Sequence, residues 1–234
     1  MSDRPSYILF ITDQQRYDHL GCNGHPVLQT PNIDAMAAQG VNYDRFYVAS
    51  PVCMPNRASL MTCRMPSSHG VRSLGVPLTH DNVTFVDLMR AAGYDTALIG
   101  KSHLQTVTDW PVQIEPPVYR DGFSAPPEEL AVAIKSDLAG EAYQYEKQFF
   151  YEKDDPEVPL PFYGFEDYVS VLRHGFNTGG SHELYQKQHA PDVLPLKSRD
   201  VQFPHDYICP QAIRTKVPEE HYSTRFIADR TVEF

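Results

Sequence analysis

Cys53-Met54-Pro55-Asn56-Arg57-Ala58-Ser59-Leu60-Met61-Thr62 is the stretch whose reading decides the fold. Ala58, Leu60 and Met61 favour a helix, and Pro55 suits a first helical turn, where its missing N–H is no loss. The spacing predicts a helix with Cys53 at its N-terminus, where free N–H groups and the helix dipole favour negative charge. Arg57, four residues on, falls on the same side one turn up. A nucleophile attacking an anionic group suits that arrangement. So, on these five residues alone, does a small apolar cysteine packed under a helix beside a solvated arginine.

The flanks read as alternating strands and helices. Ser6 to Thr12 predicts a buried strand, since Tyr7 to Ile11 run apolar without a break, as in a parallel sheet covered on both faces. It ends in Asp13-Gln14-Gln15, and the carboxyl end of a central strand is where α/β proteins place their chemistry. A helix cap or turn carboxylate is the plainer reading of Asp13. Thr30-Pro31-Asn32-Ile33-Asp34 opens a helix that runs through residues 35–39 and closes at Gly40. Val41 to Ala49 predicts a strand leading into the cysteine loop. Thr84 caps a helix through Phe85, Leu88, Met89 and Ala92, stopped by Gly93, and Asp95 to Ile99 is another buried strand. Gly100-Lys101-Ser102-His103 follows at its end. Lys101 and His103 share one face of an extended segment, although a surface lysine and an unrelated histidine would look the same. The alternation implies an α/β fold: a doubly wound, mostly parallel sheet with flanking helices.

From Trp110 the character changes. Thirteen of the 20 prolines fall between Pro111 and Pro218, periodicity is weak and aromatics are frequent. Residues 1–110 are therefore expected to form the first part of a catalytic α/β domain, 111–217 an elaborated insertion, and 218–234 a helix returning to the core. Gly175-Phe176-Asn177-Thr178-Gly179-Gly180, between His174 and His182, reads as a mobile surface loop. It lacks the lysine or helix start that a phosphate cradle needs. Phe226 and Ile227 give the last helix a buried side. The abrupt stop at Phe234 suggests the amino-terminal part of something longer.

Composition narrows the function. The chain has 234 residues and a formal net charge of −10, which argues against nucleic-acid or acidic-membrane partners but not against a small anionic substrate. No stretch has the length of a transmembrane helix or the look of a signal peptide. Cys22, Cys53, Cys63 and Cys209 form no C-x-x-C pair, so neither a disulfide framework nor a zinc site is expected, and the chain reads as cytoplasmic.

Taken together, Asp13-Gln14, Thr30-Pro31-Asn32-Ile33-Asp34 with Gly40, Cys53-x-Pro55-x-Arg57 with Ala58 to Thr62, Ala92-Gly93-Tyr94 and Gly100-Lys101-x-His103 resemble the type I sulfatases. The related phosphonate monoester and phosphodiester hydrolases of the alkaline-phosphatase-like superfamily share the pattern. The resemblance covers about residues 5–105 closely and returns weakly at 218–234. It implies that Cys53 is oxidised to formylglycine, whose hydrated form attacks sulfur or phosphorus. It further implies a divalent metal ion, calcium before manganese or magnesium, held by Asp13 and the residue made from Cys53. Arg57 would hold the formylglycine, while Gln14, Lys101 and His103 would contact the substrate, a small anionic ester. The expected activity is sulfuric ester hydrolysis, with a phosphonate monoester or phosphodiester hydrolase as the alternative and a non-catalytic anion- or partner-binding relative as the second.

Some positions depart from the family pattern. Gln14 stands where many sulfatases have a second aspartate, Cys63 where glycine is usual, and Leu74 where an asparagine is common. A downstream Asp-His or Asp-Asn metal pair followed by lysine is missing, and Asp18-His19 comes too early to be it. The 234 residues are therefore expected not to turn over substrate by themselves. A homo-oligomer or a missing carboxyl-terminal half would cover exposed sheet and helix faces.

Overall fold

The computed structural model describes residues 4–107, 118–130, 138, 140–153, 156–209 and 212–234; Trp110 and the start of the expected insertion lie outside them. In chain order the helices are α1 (Pro31–Gln39), α2 (Cys53–Thr62), the short α3 (Pro66–His69), α4 (Phe85–Ala91), α5 (Ser181–His189) and α6 (Ser223–Glu233). The strands are β1 (Ala97–Gly100), β2 (Asp167–Ser170), β3 (Leu172–His174) and β4 (Asn177–Gly179).

The core is built on α2. Met54, Ala58 and Met61 recur at helical spacing and are buried against Val71, Leu78, Val86, Leu104, Phe162 and Tyr163. Burying such apolar side chains contributes roughly 1.5–3 kcal/mol each. One helical stripe therefore sets where Cys53 and Arg57 stand. α4 has the start its sequence predicts: the Thr84 hydroxyl accepts from the Asp87 N–H, and the Asp87 carboxylate accepts from the Thr84 N–H. Such a reciprocal cap satisfies two orphan donors of the first turn.

β1 pairs in parallel with β2, from Ala97 opposite Asp167 to Gly100 opposite Ser170. The partner of β1 thus comes from within 111–217, the stretch that reads from sequence as an insertion. A four-residue strand that opens on Asp167, directly after Glu166, carries too short a pattern to stand out. β3 and β4 form an antiparallel hairpin, with Leu172 opposite Gly179 and His174 opposite Asn177. Gly175-Phe176 is its turn, so what reads as a mobile loop is paired strand. α6 packs on β1, with Phe226 buried and Ile227 beside Gly100. Its start lies later than Pro218: Glu219–His221 is a 3-10 turn and the α-helix begins at Ser223.

Two expected strands are not formed. Residues 6–12 and 41–49 carry no strand pairing. Tyr7 to Ile11 are 46–71% exposed, and Val41, Tyr43, Phe46, Tyr47 and Val48 are exposed as well. The physical reason is the missing ladder: an apolar run becomes a strand only when a neighbour takes up its N–H and C=O groups, and although Arg4, Tyr7 and Asp13 touch Ala92, Tyr94 and Lys101, no described segment pairs with either run. No described helix is long and apolar enough to cross a membrane.

Candidate active site

Three pieces of chain converge at one point. The turn after β1 brings Lys101, Ser102 and His103; α2 brings Arg57, one turn after Cys53; the segment after residue 12 brings Asp13. Lys101 Nζ lies 2.8 Å from Asp13 Oδ2. The Arg57 guanidinium lies 3.5 Å from Asp13 Oδ1 and also donates to the Lys101 carbonyl oxygen. The β3 hairpin adds a residue that the sequence reading did not place here. His174 Nδ1 is 2.9 Å from Asp13 Oδ2 and 3.2 Å from Lys101 Nζ. Its tautomer decides whether it donates to the carboxylate or accepts from the ammonium.

The electrostatics follow from these contacts. The hydrogen bond with His174 holds the Asp13 carboxyl far below the usual carboxylate range. Partial burial opposes this, and Lys101 and Arg57 reinforce it. Asp13 is therefore a fixed anion held between the Lys101 and Arg57 cations.

His103 is treated the opposite way. It is 4% exposed, and burial, aided by the charges of Lys101 and Arg57, pushes its pKa down to about 3. At neutral pH it is an uncharged imidazole. Among the described residues its buried Nδ1 has no hydrogen-bond partner, although buried polar atoms are normally paired. Its φ of +53° places it in the left-handed region, a conformation that costs a residue with a Cβ about 1 kcal/mol or more.

Cys53 is half-buried, unpaired with any other cysteine, and the first residue of α2, whose N-terminus has no side-chain cap. Gln14 is exposed, has a φ of +56°, and makes no side-chain hydrogen bond among the described residues. It sits beside the cluster but does not join it.

Besides His174, Glu146 was not singled out in the sequence. It is wholly buried and accepts from Ser102 and from the backbone of the turn that carries His103. Its one local signal is a lone carboxylate among aromatics, Tyr143, Tyr145, Phe149 and Phe150, where a solvated acid is out of place.

Asp13 and Cys53, the expected metal ligands, do not fit a divalent ion by themselves. Among the described residues no group of three or more His, Cys, Asp or Glu side chains could hold a metal. Asp13 offers one carboxylate, already engaged by Lys101, Arg57 and His174, whereas hard cations take six or more oxygens.

A parallel β1–β2 pair backed by helices, with Asp13, Arg57, Lys101 and His174 clustered just beyond the carboxyl end of β1, makes this an α/β protein. The phosphonate monoester hydrolase of Agrobacterium radiobacter shares this fold: it superposes on 94% of this chain and 36% of its own with a TM-score of 0.57 at 23% identity. The family model for sulfatases matches residues 5–128, more than half of the chain, and the chain belongs to that family. It is 28% identical over 215 residues to the ulvan-active sulfatase of Formosa agariphila, covering 82% of this chain and 40% of that protein. It is 40% identical over 114 residues to human steryl-sulfatase, covering 44% of this chain and 20% of that one. The chain thus spans two fifths or less of the length of these relatives.

Proposed function

We propose that this protein is a sulfuric ester hydrolase that cleaves a sulfate monoester, with formylglycine made from Cys53 as its nucleophile. The observation that carries the reading is the convergence of Arg57, Lys101 and His174 on Asp13, beside the turn that holds a neutral His103. The start of α2 suits the modified residue: Cys53 is accessible, the turn is uncapped, and Arg57 follows one turn later. Formylglycine supplies a hydrated aldehyde oxygen as nucleophile and lets sulfate leave by carbon–oxygen cleavage.

The chain's own residues supply the rest. Arg57 fixes the Lys101 backbone and faces Asp13, so the two cations are held in place before substrate arrives. Preorganised donors of this kind stabilise charge as it develops, without reorganising during the reaction. Lys101 is placed to contact the ester's anionic oxygens. His103, being neutral, offers a hydrogen bond to the leaving oxygen rather than a full proton. Asp13 and the residue made from Cys53 would hold a divalent ion only together with further oxygen ligands.

A phosphonate monoester or phosphodiester hydrolase is the second reading. Gln14 favours it by leaving Asp13 as the single negative charge of its pair. Relative rates on matched aryl sulfate and aryl phosphonate esters separate the two. The mass of the tryptic peptide Phe46–Arg57, from protein made in its native host, tests both. A peptide lighter by the exchange of thiol for aldehyde is expected. Unmodified Cys53 there sinks the formylglycine mechanism and turns the reading to an anion-binding relative.

A further inference from the structure

Glu146 is fully buried, and a carboxylate buried without partners is strongly unfavourable. Its partners all come from one short segment. Oε1 accepts from the Ser102 hydroxyl at 2.5 Å and from the His103 N–H at 2.6 Å, and Oε2 accepts from the Gln105 N–H. The Tyr168 hydroxyl, on β2, lies 2.8 Å from that of Ser102. Gln105 is tied back to the same region: its amide donates to the Ala142 carbonyl at 2.8 Å and its side-chain oxygen accepts from the Tyr145 N–H at 3.0 Å.

The segment so clamped is the turn that carries the site. Lys101 immediately precedes it, and His103 lies within it in the left-handed conformation. That conformation needs outside support, and the bond from the His103 N–H to Glu146 provides it. From the other side, Arg57 holds the Lys101 carbonyl.

We propose that Glu146 is a positioning residue for the anion site: its carboxylate pins the Ser102–Gln105 turn and so sets where the Lys101 ammonium and the His103 imidazole stand. The catalytic part of this inference rests on the sulfatase reading. Charge matters as well as shape. A glutamine would fill the space, but its amide nitrogen would face a donor in place of an acceptor, and the turn would relax. A shift of about 1 Å in such a group can cost about 100-fold in rate.

The test compares the full-length wild-type protein with Glu146→Gln. One readout needs no activity: carbethoxylation by diethyl pyrocarbonate, located by peptide mass. In the wild type, buried His103 and buried His182 should both be protected. In Glu146→Gln, His103 should react while His182 stays protected. The second readout is aryl sulfate hydrolysis per folded molecule, expected to fall about 100-fold. Combining Glu146→Gln with His103→Ala should cost much less than the product of the two single losses, because both act through one group. Should Glu146→Gln not fold, Ser102→Ala removes one arm of the clamp and should move the same readouts in the same direction. Protection of His103 in these variants, joint exposure of His103 and His182, or multiplicative losses would overturn the proposal. If the wild type hydrolyses neither sulfate nor phosphonate esters, the functional reading fails and the labelling pattern still decides the role of Glu146.

Discussion

Asp13 and Lys101, 88 residues apart in sequence, meet at 2.8 Å, with the lysine side chain only 12% exposed. A mostly buried ammonium needs a partner, and on the proposed reading this one also contacts the ester. In Lys101→Ala, hydrolysis of an aryl sulfate by the full-length protein should fall by about 10²–10³-fold. The thermal midpoint should move little, because Asp13 keeps Arg57 and His174. A wild-type rate in the folded variant would remove Lys101 from the site.

Cys53 is half-buried and contributes nothing to the apolar cluster beneath α2. Cys53→Ala should therefore change stability by no more than about 0.5 kcal/mol. Activity should fall by about 10⁴-fold or more, as for loss of any covalent nucleophile. Chemical unfolding and ester hydrolysis, measured on the same preparation, separate the two effects. Retained turnover in the alanine variant would mean that the nucleophile lies elsewhere.

The parts legible in the sequence are those whose causes are local. α2 and α4 announce themselves through Pro55, the helix formers Ala58, Leu60 and Met61, and the Thr84 cap. β1 is a short apolar run read close to its true bounds. The roles expected for Asp13, Arg57, Lys101 and His103 came from motifs within residues 13–103, and the structure brings these four side chains together. What escaped depends on distant partners. His174 meets Asp13 across 161 residues, and Glu146 reaches the Ser102–Gln105 turn across more than 40. No local pattern encodes either contact. Residues 6–12 and 41–49 show the converse: their apolar patterns ask for burial without naming the neighbour that would provide it.

Gly164 is a position where the backbone leaves no room. Its φ is +92°, and an added Cβ would lie 2.6 Å from the Asp87 N and 2.9 Å from the Val86 carbonyl carbon, both backbone atoms of α4. The turn cannot retreat easily. The Tyr163 carbonyl accepts from the Thr84 hydroxyl at 3.0 Å, and the Gly164 carbonyl accepts from the Thr96 hydroxyl at 2.9 Å. Gly164→Ala combines an unfavourable φ with a backbone clash and should cost about 2–3 kcal/mol. Urea unfolding should show the midpoint falling with the slope unchanged; an unaltered midpoint would mean that the turn and α4 can move apart freely.

His182 gives the fold a pH dependence whose sign is fixed by its surroundings. It is 2% exposed, and burial pushes its pKa from 6.5 down to about 4. The His221 carbonyl, 3.1 Å from Nε2, can only accept, so Nε2 carries the proton and Nδ1 accepts from the Thr178 hydroxyl at 2.8 Å. Lys197 and His221 disfavour a second proton and Glu183 favours it. Above pH 6.5 the histidine is neutral in both folded and unfolded chains, and its contribution to stability is fully present. Between pH 6.5 and 4 the unfolded chain takes up the proton first, so stability falls with pH by about 2–3 kcal/mol, and below pH 4 the loss levels off. His103 acts in the same direction with its pKa of about 3, so the wild-type curve alone does not isolate His182. The difference between wild type and His182→Gln does. Measured by urea unfolding, it should shrink as pH falls from 6.5 to 4, because the glutamine has no proton to gain. Parallel curves across that window would show that His182 is not held neutral by the fold.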